Sequence, residues 1–205
     1  MMFEDLLNFF SRGIIYHGIN SQFLVLIPKT ENTDEIQLFR PIALINSLFM
    51  IITKLIGNRM ASNSNRIISW NRFGFRKGRS IQECVFLASK TTNLLNKKNR
   101  GGNVAIKPEI AKSFDMIDWN FMYKVLSQFG FNDTFINRIK SLFNSAHISV
   151  LINGSLGYFS CSKGVRQGDP LPLILFTIAE DYLSRLIMQA IEQGTIKPIS
   201  ASRNS

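Results

Sequence analysis

The stretch from Asn103 to Trp119 constrains the fold of this 205-residue chain more than any other segment. Its first half has apolar residues at alternating positions, which is the pattern of a strand with one buried face; these residues are Val104, Ile106 and Ile110. Pro108 interrupts the pattern, because proline has no N–H to donate to a strand ladder. We therefore predict a strand that ends at Glu109, followed by a turn that carries Phe114.

Glu109 is the candidate for chemistry in this stretch. A carboxylate at a strand end, with Phe114 and the further acids Asp115 and Asp118 close behind, is a common way to present a metal ligand in a cleft. Taken alone, the residue favours a solvated acid at the end of a strand, because carboxylates are mostly exposed. The choice between the two interpretations depends on the motifs elsewhere in the chain.

Two pairs of strands are predicted outside this stretch. Strands at Gln22–Ile27 and Pro41–Ile45 flank a polar loop. Alternating apolar residues at 148–152 lead into Asn153-Gly154, which predicts a hairpin with a type I′ turn, and the second strand resumes at Tyr158.

Capping residues and apolar stripes predict the helices. Asp118, Asn132 and Asp169 are expected N-caps, and Ser80 to Glu83 forms a capping box. The stripes predict these inward-facing residues: Phe3, Leu6, Leu7, Phe10, Leu48, Ile51, Ile52, Leu55, Ile56, Ile81, Val85, Leu87, Ala88, Leu94, Leu95, Phe121, Val125, Leu126, Phe135, Ile136, Ile139 and Phe143.

The charge balance favours a polyanionic partner. The formal net charge is +10, from 24 Lys and Arg against 14 Asp and Glu. The block from Arg72 to Arg79 holds four of the positive charges, and Arg76, Lys77 and Arg79 are candidate contacts to a template backbone. A basic surface turn on a protein without such a partner explains the same residues, and both interpretations stay open.

Composition narrows the class of protein. Hydrophobic residues make up 45% of the chain, as in a globular domain. The apolar runs Leu44–Ile52 and Leu171–Ala179 are too short to span a bilayer, so we expect no membrane association. The two cysteines have no metal-binding spacing, which indicates a reducing intracellular compartment and leaves nucleus or cytoplasm open.

Five blocks, read in order, resemble the reverse transcriptases of non-LTR (LINE-type) retrotransposons. Where that family has D-I-A-K-A-F-D at its centre, this chain has EIAKSFD, so Glu109 occupies the position of the metal-binding aspartate. The blocks are FLVLIPK (Phe23–Lys29), FRPIAL (Phe39–Leu44), FGFRKGRS (Phe73–Ser80), EIAKSFD (Glu109–Asp115) and KGVRQGDPLPLILF (Lys163–Phe176).

The resemblance implies an α+β chain with a partial right-hand polymerase fold. Residues 1–205 would form a single incomplete domain, with the fingers over about 1–100 and the first part of the palm over about 101–205. A hairpin on the fingers side would be inserted in the palm portion. The chain would stop before the family's Tyr/Phe-Ala-Asp-Asp motif.

The resemblance also implies roles for individual residues. Lys29 and Arg40 would hold the triphosphate of the incoming nucleotide, one as a point charge and the other as a bidentate fork. Phe114 would be the steric gate against a ribose 2′-hydroxyl, and Gln167 would contact the nucleotide or the template. Without the family, each is an ordinary surface or core residue.

The implied activity is RNA-directed DNA polymerisation with Mg²⁺, an RNA template and a DNA primer, and no other small-molecule cofactor than nucleotides. We expect this chain to be inactive, because Glu109 is one methylene longer than aspartate and the 205 residues contain no Asp-Asp pair. Glu180-Asp181 lies mid-helix, where neighbours point about 100° apart. The alternatives are a polymerase subunit completed by another chain, a non-enzymatic nucleic-acid-binding remnant, and a basic helical structural protein.

Overall fold

The computed structural model describes residues 2–70, 80–95, 103–107, 110, 113–154, 157–165 and 169–199. The helices are α1 (Met2–Arg12), α2 (Ser47–Ser62), α3 (Ser64–Ile67), α4 (Ile81–Leu95), α5 (Ser113–Met116), α6 (Trp119–Gln128), α7 (Asp133–Asn144) and α8 (Pro170–Glu192). The strands are β1 (Ser21–Pro28), β2 (Phe39–Ile45), β3 (His147–Leu151) and β4 (Phe159–Ser160). The expected α+β class is confirmed.

The four strands form one mixed sheet in the order β2-β1-β3-β4. β1 pairs antiparallel with β2 and parallel with β3, and β3 pairs antiparallel with β4. The parallel pair needs a long crossover, which the helices between β2 and β3 supply. The predicted pairing of β3 with β4 is confirmed, and Asn153 and Gly154 both have positive φ, 49° and 126°. Residues 155 and 156 lie outside the described residues, so the type I′ turn itself stays a prediction.

The two faces of the sheet differ in what covers them. Side chains alternate along each strand, so Gln22 and Leu24 of β1 share a face with Pro41 and Ala43 of β2 and with Ile148 of β3. This inner face lies over the core. The opposite, outer face is exposed in part. Ile27, Ile42 and Leu44 are each exposed, whereas Phe23 on the same face packs against Tyr158 and Ser149 is buried.

The chain divides into two compact units. The first comprises the described residues of 2–62 and 113–176 and holds the sheet. Its helices begin as predicted: Asp118 accepts a hydrogen bond from the Phe121 N–H at 2.7 Å, and Asn132 accepts one from the Phe135 N–H at 2.8 Å. The core of this unit is built from Phe9, Phe49, Ile52, Ile56, Met122, Val125, Leu126, Ile139, Leu142, Leu171 and Leu175.

The second unit comprises the described residues of 63–111 and 177–199. Its central polar contact is the fully buried carboxylate of Asp181. This group accepts hydrogen bonds from the Ser69 hydroxyl and from Arg185 Nε, each at 3.0 Å. Arg185 also donates to the Ile67 carbonyl at 2.7 Å, so one acid joins α8 to the end of α3. The only adjacent acidic pair in α8 therefore has a structural role at Asp181.

The predicted strand before Glu109 is wrong over the described residues. Residues 103–107 belong to no strand, and Val104 and Ile106 are 77% and 85% exposed. Alternating apolar residues indicate which face of a strand would be buried. A strand also needs a neighbouring strand that pairs with its backbone N–H and C=O groups. The described strands pair only with one another. Pro108 and Glu109 themselves lie outside the described residues.

Several predicted helix faces are also wrong. α4 begins at the predicted capping box, yet it buries none of its described side chains, and Ile81 and Val85 are 76% and 63% exposed. In α2 the buried face contains Phe49 and Met60, while the predicted Ile51 is exposed. An apolar stripe identifies a helix, but neighbouring elements decide which side is covered. In other helices, three residues that were predicted to face inward are exposed: Phe3, Leu7 and Phe121.

Within the described parts of the chain, no helix is both long enough and apolar enough to cross a bilayer.

Candidate functional site

The segment that carries Phe114 is held by the loop that precedes α8. The Val165 N–H donates to the Phe114 carbonyl at 2.7 Å, and the Gly164 N–H donates to the Ile117 carbonyl at 2.8 Å. Trp119 Nε1 donates in return to the Gly164 carbonyl at 2.7 Å. We call this contact between residues 113–119 and 163–165 the junction. It brings two of the motif blocks together.

Gly164 makes the junction possible. Its φ is +82°, a conformation that residues with a Cβ rarely adopt. A Cβ at this position would also lie 2.7 Å from the Asp115 carbonyl oxygen, closer than real Cβ contacts. Glycine is therefore required both by the backbone conformation and by the close approach of the two chain segments.

Phe114 is half-buried at the junction. Its ring centroid lies 5.0 Å from that of Phe176 in α8, with the planes tilted by 35°. The side chain is thus partly a packing residue and partly accessible. Its assignment as a steric gate stays a prediction.

Lys29 and Arg40 lie together at one end of the outer face. Arg40 is paired with Ile27, and Lys29 follows two residues after Ile27, so both basic side chains share the face of Ile27. Both residues are exposed. The Lys29 ammonium donates to the Gln37 carbonyl at 2.9 Å, whereas the Arg40 side chain makes no hydrogen bond or ion pair within the described residues. Within the described residues, neither Lys29 nor Arg40 makes a hydrogen bond or a ring contact with Phe114.

Glu109, Gln167, Arg76, Lys77 and Arg79 all lie outside the described residues, and their assignments stay predictions.

The described acidic residues near the junction accept hydrogen bonds from backbone N–H groups at the starts of helices. Asp118 caps α6, and Asp169 accepts the Leu171 N–H at 3.1 Å at the start of α8. Over the described ranges, no three histidine, cysteine or acidic residues form a group that could hold a metal ion.

Tyr123 of α6 lies near Asp118 but does not suit proton transfer. Burial raises the pKa of the Tyr123 hydroxyl to about 12, and the Asp118 carboxylate adds to the shift. The hydroxyl is buried and has no hydrogen-bond partner among the described residues. It therefore stays protonated at physiological pH.

Sequence reasoning missed Trp119 and Gly164. Both are visible in the sequence, one as a rare aromatic and the other as a glycine just before the RQGD block. Their contact joins residues 45 positions apart, which no local pattern encodes.

A family profile described as "Reverse transcriptase (RNA-dependent DNA polymerase)" matches residues 27–199, which is most of the chain. The chain belongs to the reverse transcriptase family. The resemblance found in the five blocks is confirmed, and a basic helical structural protein is not favoured by this match or by the mixed sheet.

Two relatives that match most of this chain are proteins of transposable elements. The chain is 30% identical over 173 residues to the "Transposon TX1 uncharacterized 149 kDa protein" of Xenopus laevis, covering 83% of this chain and 13% of that protein. It is 26% identical over 182 residues to the "Retrovirus-related Pol polyprotein from type-2 retrotransposable element R2DM" of Drosophila melanogaster, covering 87% and 17%. The chain thus spans less than a fifth of these two relatives.

A shorter relative matches only part of the reverse transcriptase chain. The "Uncharacterized mitochondrial protein AtMg01250" of Arabidopsis thaliana is 42% identical over 60 residues, which cover 29% of this chain and 49% of that protein.

The junction predicts unequal costs for the same substitution at two glycines. Gly164→Ala and Gly130→Ala both place a Cβ at nearly the same φ, +82° and +81°, but only Gly164 has atoms close to that Cβ. We expect Gly130→Ala to lower the free energy of unfolding by about 1–2 kcal/mol. Gly164→Ala should cost about 1–3 kcal/mol more, because the Asp115 backbone must move. Urea denaturation measures both, and equal costs would contradict the close approach.

Proposed function

We propose that this reverse transcriptase chain forms the fingers and the first part of the palm of a right-hand polymerase that copies an RNA template from a DNA primer. The boundary between the two parts is proposed near residue 100. The observation that carries the proposal is the placement of Lys29 and Arg40 at one end of one sheet face, although they come from two separate motif blocks.

The physical chemistry of this pair suits a nucleoside triphosphate. A compact ammonium and a planar guanidinium offer complementary hydrogen bonds to neighbouring phosphate oxygens. The Arg40 fork has no partner among the described residues, so it is available to a ligand. Beside the two cations, exposed Ile27, Ile42 and Leu44 offer an apolar surface on which a nucleotide base or a template base can lie.

The other roles follow the family. Phe114 would exclude a ribose 2′-hydroxyl, and Gln167 would contact the nucleotide or template. Arg76, Lys77 and Arg79 would contact the template backbone through charge alone. Glu109 would be the one protein ligand for Mg²⁺ in this chain, and bound Mg²⁺ would activate the primer hydroxyl and neutralise charge on the phosphates.

We further propose that the 205 residues alone do not extend a primer. Glu109 carries its carboxylate one methylene further from the backbone than the family's aspartate does, and a misplacement of about 1 Å can cost about 10²-fold in rate. No Asp-Asp pair is present in the 205 residues to supply further ligands. The effects on rate of residues that act together are not additive. Restoring aspartate at position 109 alone should therefore recover little activity.

Nucleotide binding tests the roles of Lys29 and Arg40. We expect Lys29→Ala and Arg40→Ala each to weaken binding of a deoxynucleoside triphosphate with Mg²⁺ by about tenfold or more, because each removes charge-assisted hydrogen bonds. Isothermal titration calorimetry measures the affinity. Lys54→Ala is the matched control, since Lys54 is an exposed lysine on α2 of the same unit. An equal loss in all three variants would show that only overall charge matters.

Primer extension tests the proposed activity. The assay uses Mg²⁺ and an RNA template with three proteins: the 205-residue chain, Glu109→Asp, and Glu109→Asp fused to a family-derived hairpin that carries the aspartate pair. We expect extension by the fusion only. A fusion with both hairpin aspartates changed to alanine is the control.

Extension by the unmodified chain would contradict the proposed inactivity and would make Glu109 a working metal ligand. Failure of the fusion, with its fold intact, would count against the polymerase assignment of this chain.

A further inference from the structure

We propose that the first unit contains a binding site for a small, neutral, bicyclic aromatic compound with one hydrogen-bonding group. The site is a cavity of about 210 Å³ beneath the inner face of the sheet, and we call it the inner cavity. Its walls include Gln22, Leu24, Phe49, Trp119, Phe143 and Cys161.

The size and walls of the inner cavity select an aromatic ligand. An apolar cavity of about 150 Å³ can hold benzene, so one of about 210 Å³ has room for two fused rings. Trp119 and Phe143 line it as an aromatic pair, with ring centroids 5.3 Å apart and planes tilted by 32°. Leu24 and Phe49 add apolar wall. A flat, uncharged ring system gains contacts on several sides.

Gln22 indicates that the ligand carries a polar atom. Its side chain is 2% exposed and lines the inner cavity. Its Oε1 is buried without a hydrogen-bond partner among the described residues, and no hydrogen bond of either side-chain amide atom is formed within them. Buried amides are nearly always hydrogen-bonded. A ligand N–H that reaches Oε1 would satisfy this buried oxygen. The wall is largely apolar, and its other polar lining residues are Thr53, Asp115, Lys163 and Asp169.

The inner cavity is separate from the proposed nucleotide site. Gln22 and Leu24 face the core, whereas Lys29 and Arg40 lie on the outer face of the same sheet. The cavity is bounded by Asp115 and Gly164 of the junction. An occupant would therefore contact the segment that carries Phe114 without competing for the triphosphate position.

Cys161 provides a direct readout of occupancy. It lines the inner cavity and is half-buried, so a bound ligand should slow alkylation of its thiol. Cys84 is exposed on α4 and does not line the cavity, which makes it an internal control in the same molecule.

The experiment measures alkylation of each cysteine by iodoacetamide, followed by mass spectrometry, with indole as the probe. With indole at ten times its dissociation constant, the Cys161 rate should fall about tenfold while the Cys84 rate stays constant. Benzothiophene has nearly the same shape but no N–H. It should bind about tenfold more weakly, because Gln22 then stays unpaired.

Gln22→Leu should remove the preference for indole over benzothiophene. The comparison of the two probes on the unmodified chain needs no variant, so the proposal stays testable if Gln22→Leu does not fold. Unchanged Cys161 labelling at saturating indole would overturn the proposal. Equal affinity for both probes on the unmodified chain, or equal slowing of Cys84, would overturn it as well.

Discussion

Three hydrogen bonds at the junction hold together the parts of this reverse transcriptase chain that matter for its proposed function. They join Phe114, Ile117 and Trp119 to Gly164 and Val165. Each neutral hydrogen bond contributes only about 1 kcal/mol net, but the Trp119 ring is also buried and packs against Phe143. The junction sets the position of Phe114, leads into α8 and forms one wall of the inner cavity.

The sheet gives the first unit two different surfaces. On the outer face, antiparallel pairing of β1 and β2 brings Lys29 and Arg40 to the same end, beside exposed apolar residues. On the inner face, the same alternation turns Gln22 and Leu24 toward the inner cavity. A register shift of one residue in β1 would turn Lys29 away from the face of Arg40 and turn Gln22 and Leu24 away from the inner cavity, so the β1–β2 register is a condition for both proposed sites.

Local signals were readable from the sequence. β1 and β2, the positive φ at Asn153 and Gly154 and the caps at Asp118 and Asn132 all depend on neighbouring residues, and all are present. Each motif block is also a short run of neighbouring residues, and the family that the blocks indicated is confirmed.

What the sequence did not predict depends on distant partners. Residues 103–107 have the pattern of a strand but none of the described strands beside them. α4 begins at the predicted capping box and has an apolar stripe, but Ile81 and Val85 of that stripe are exposed. The contact of Trp119 with Gly164 and the unpaired amide of Gln22 arise only once separate segments meet.

Hydrogen exchange at the junction tests the central claim most directly. The amides of Gly164 and Val165 and the indole N–H of Trp119 are each donors in the junction. If the junction forms as described, all three exchange slowly and share a single opening free energy, because they open together. Exchange of Gly164 and Val165 at the rate of an open chain, while α6 and α7 stay protected, would contradict the account.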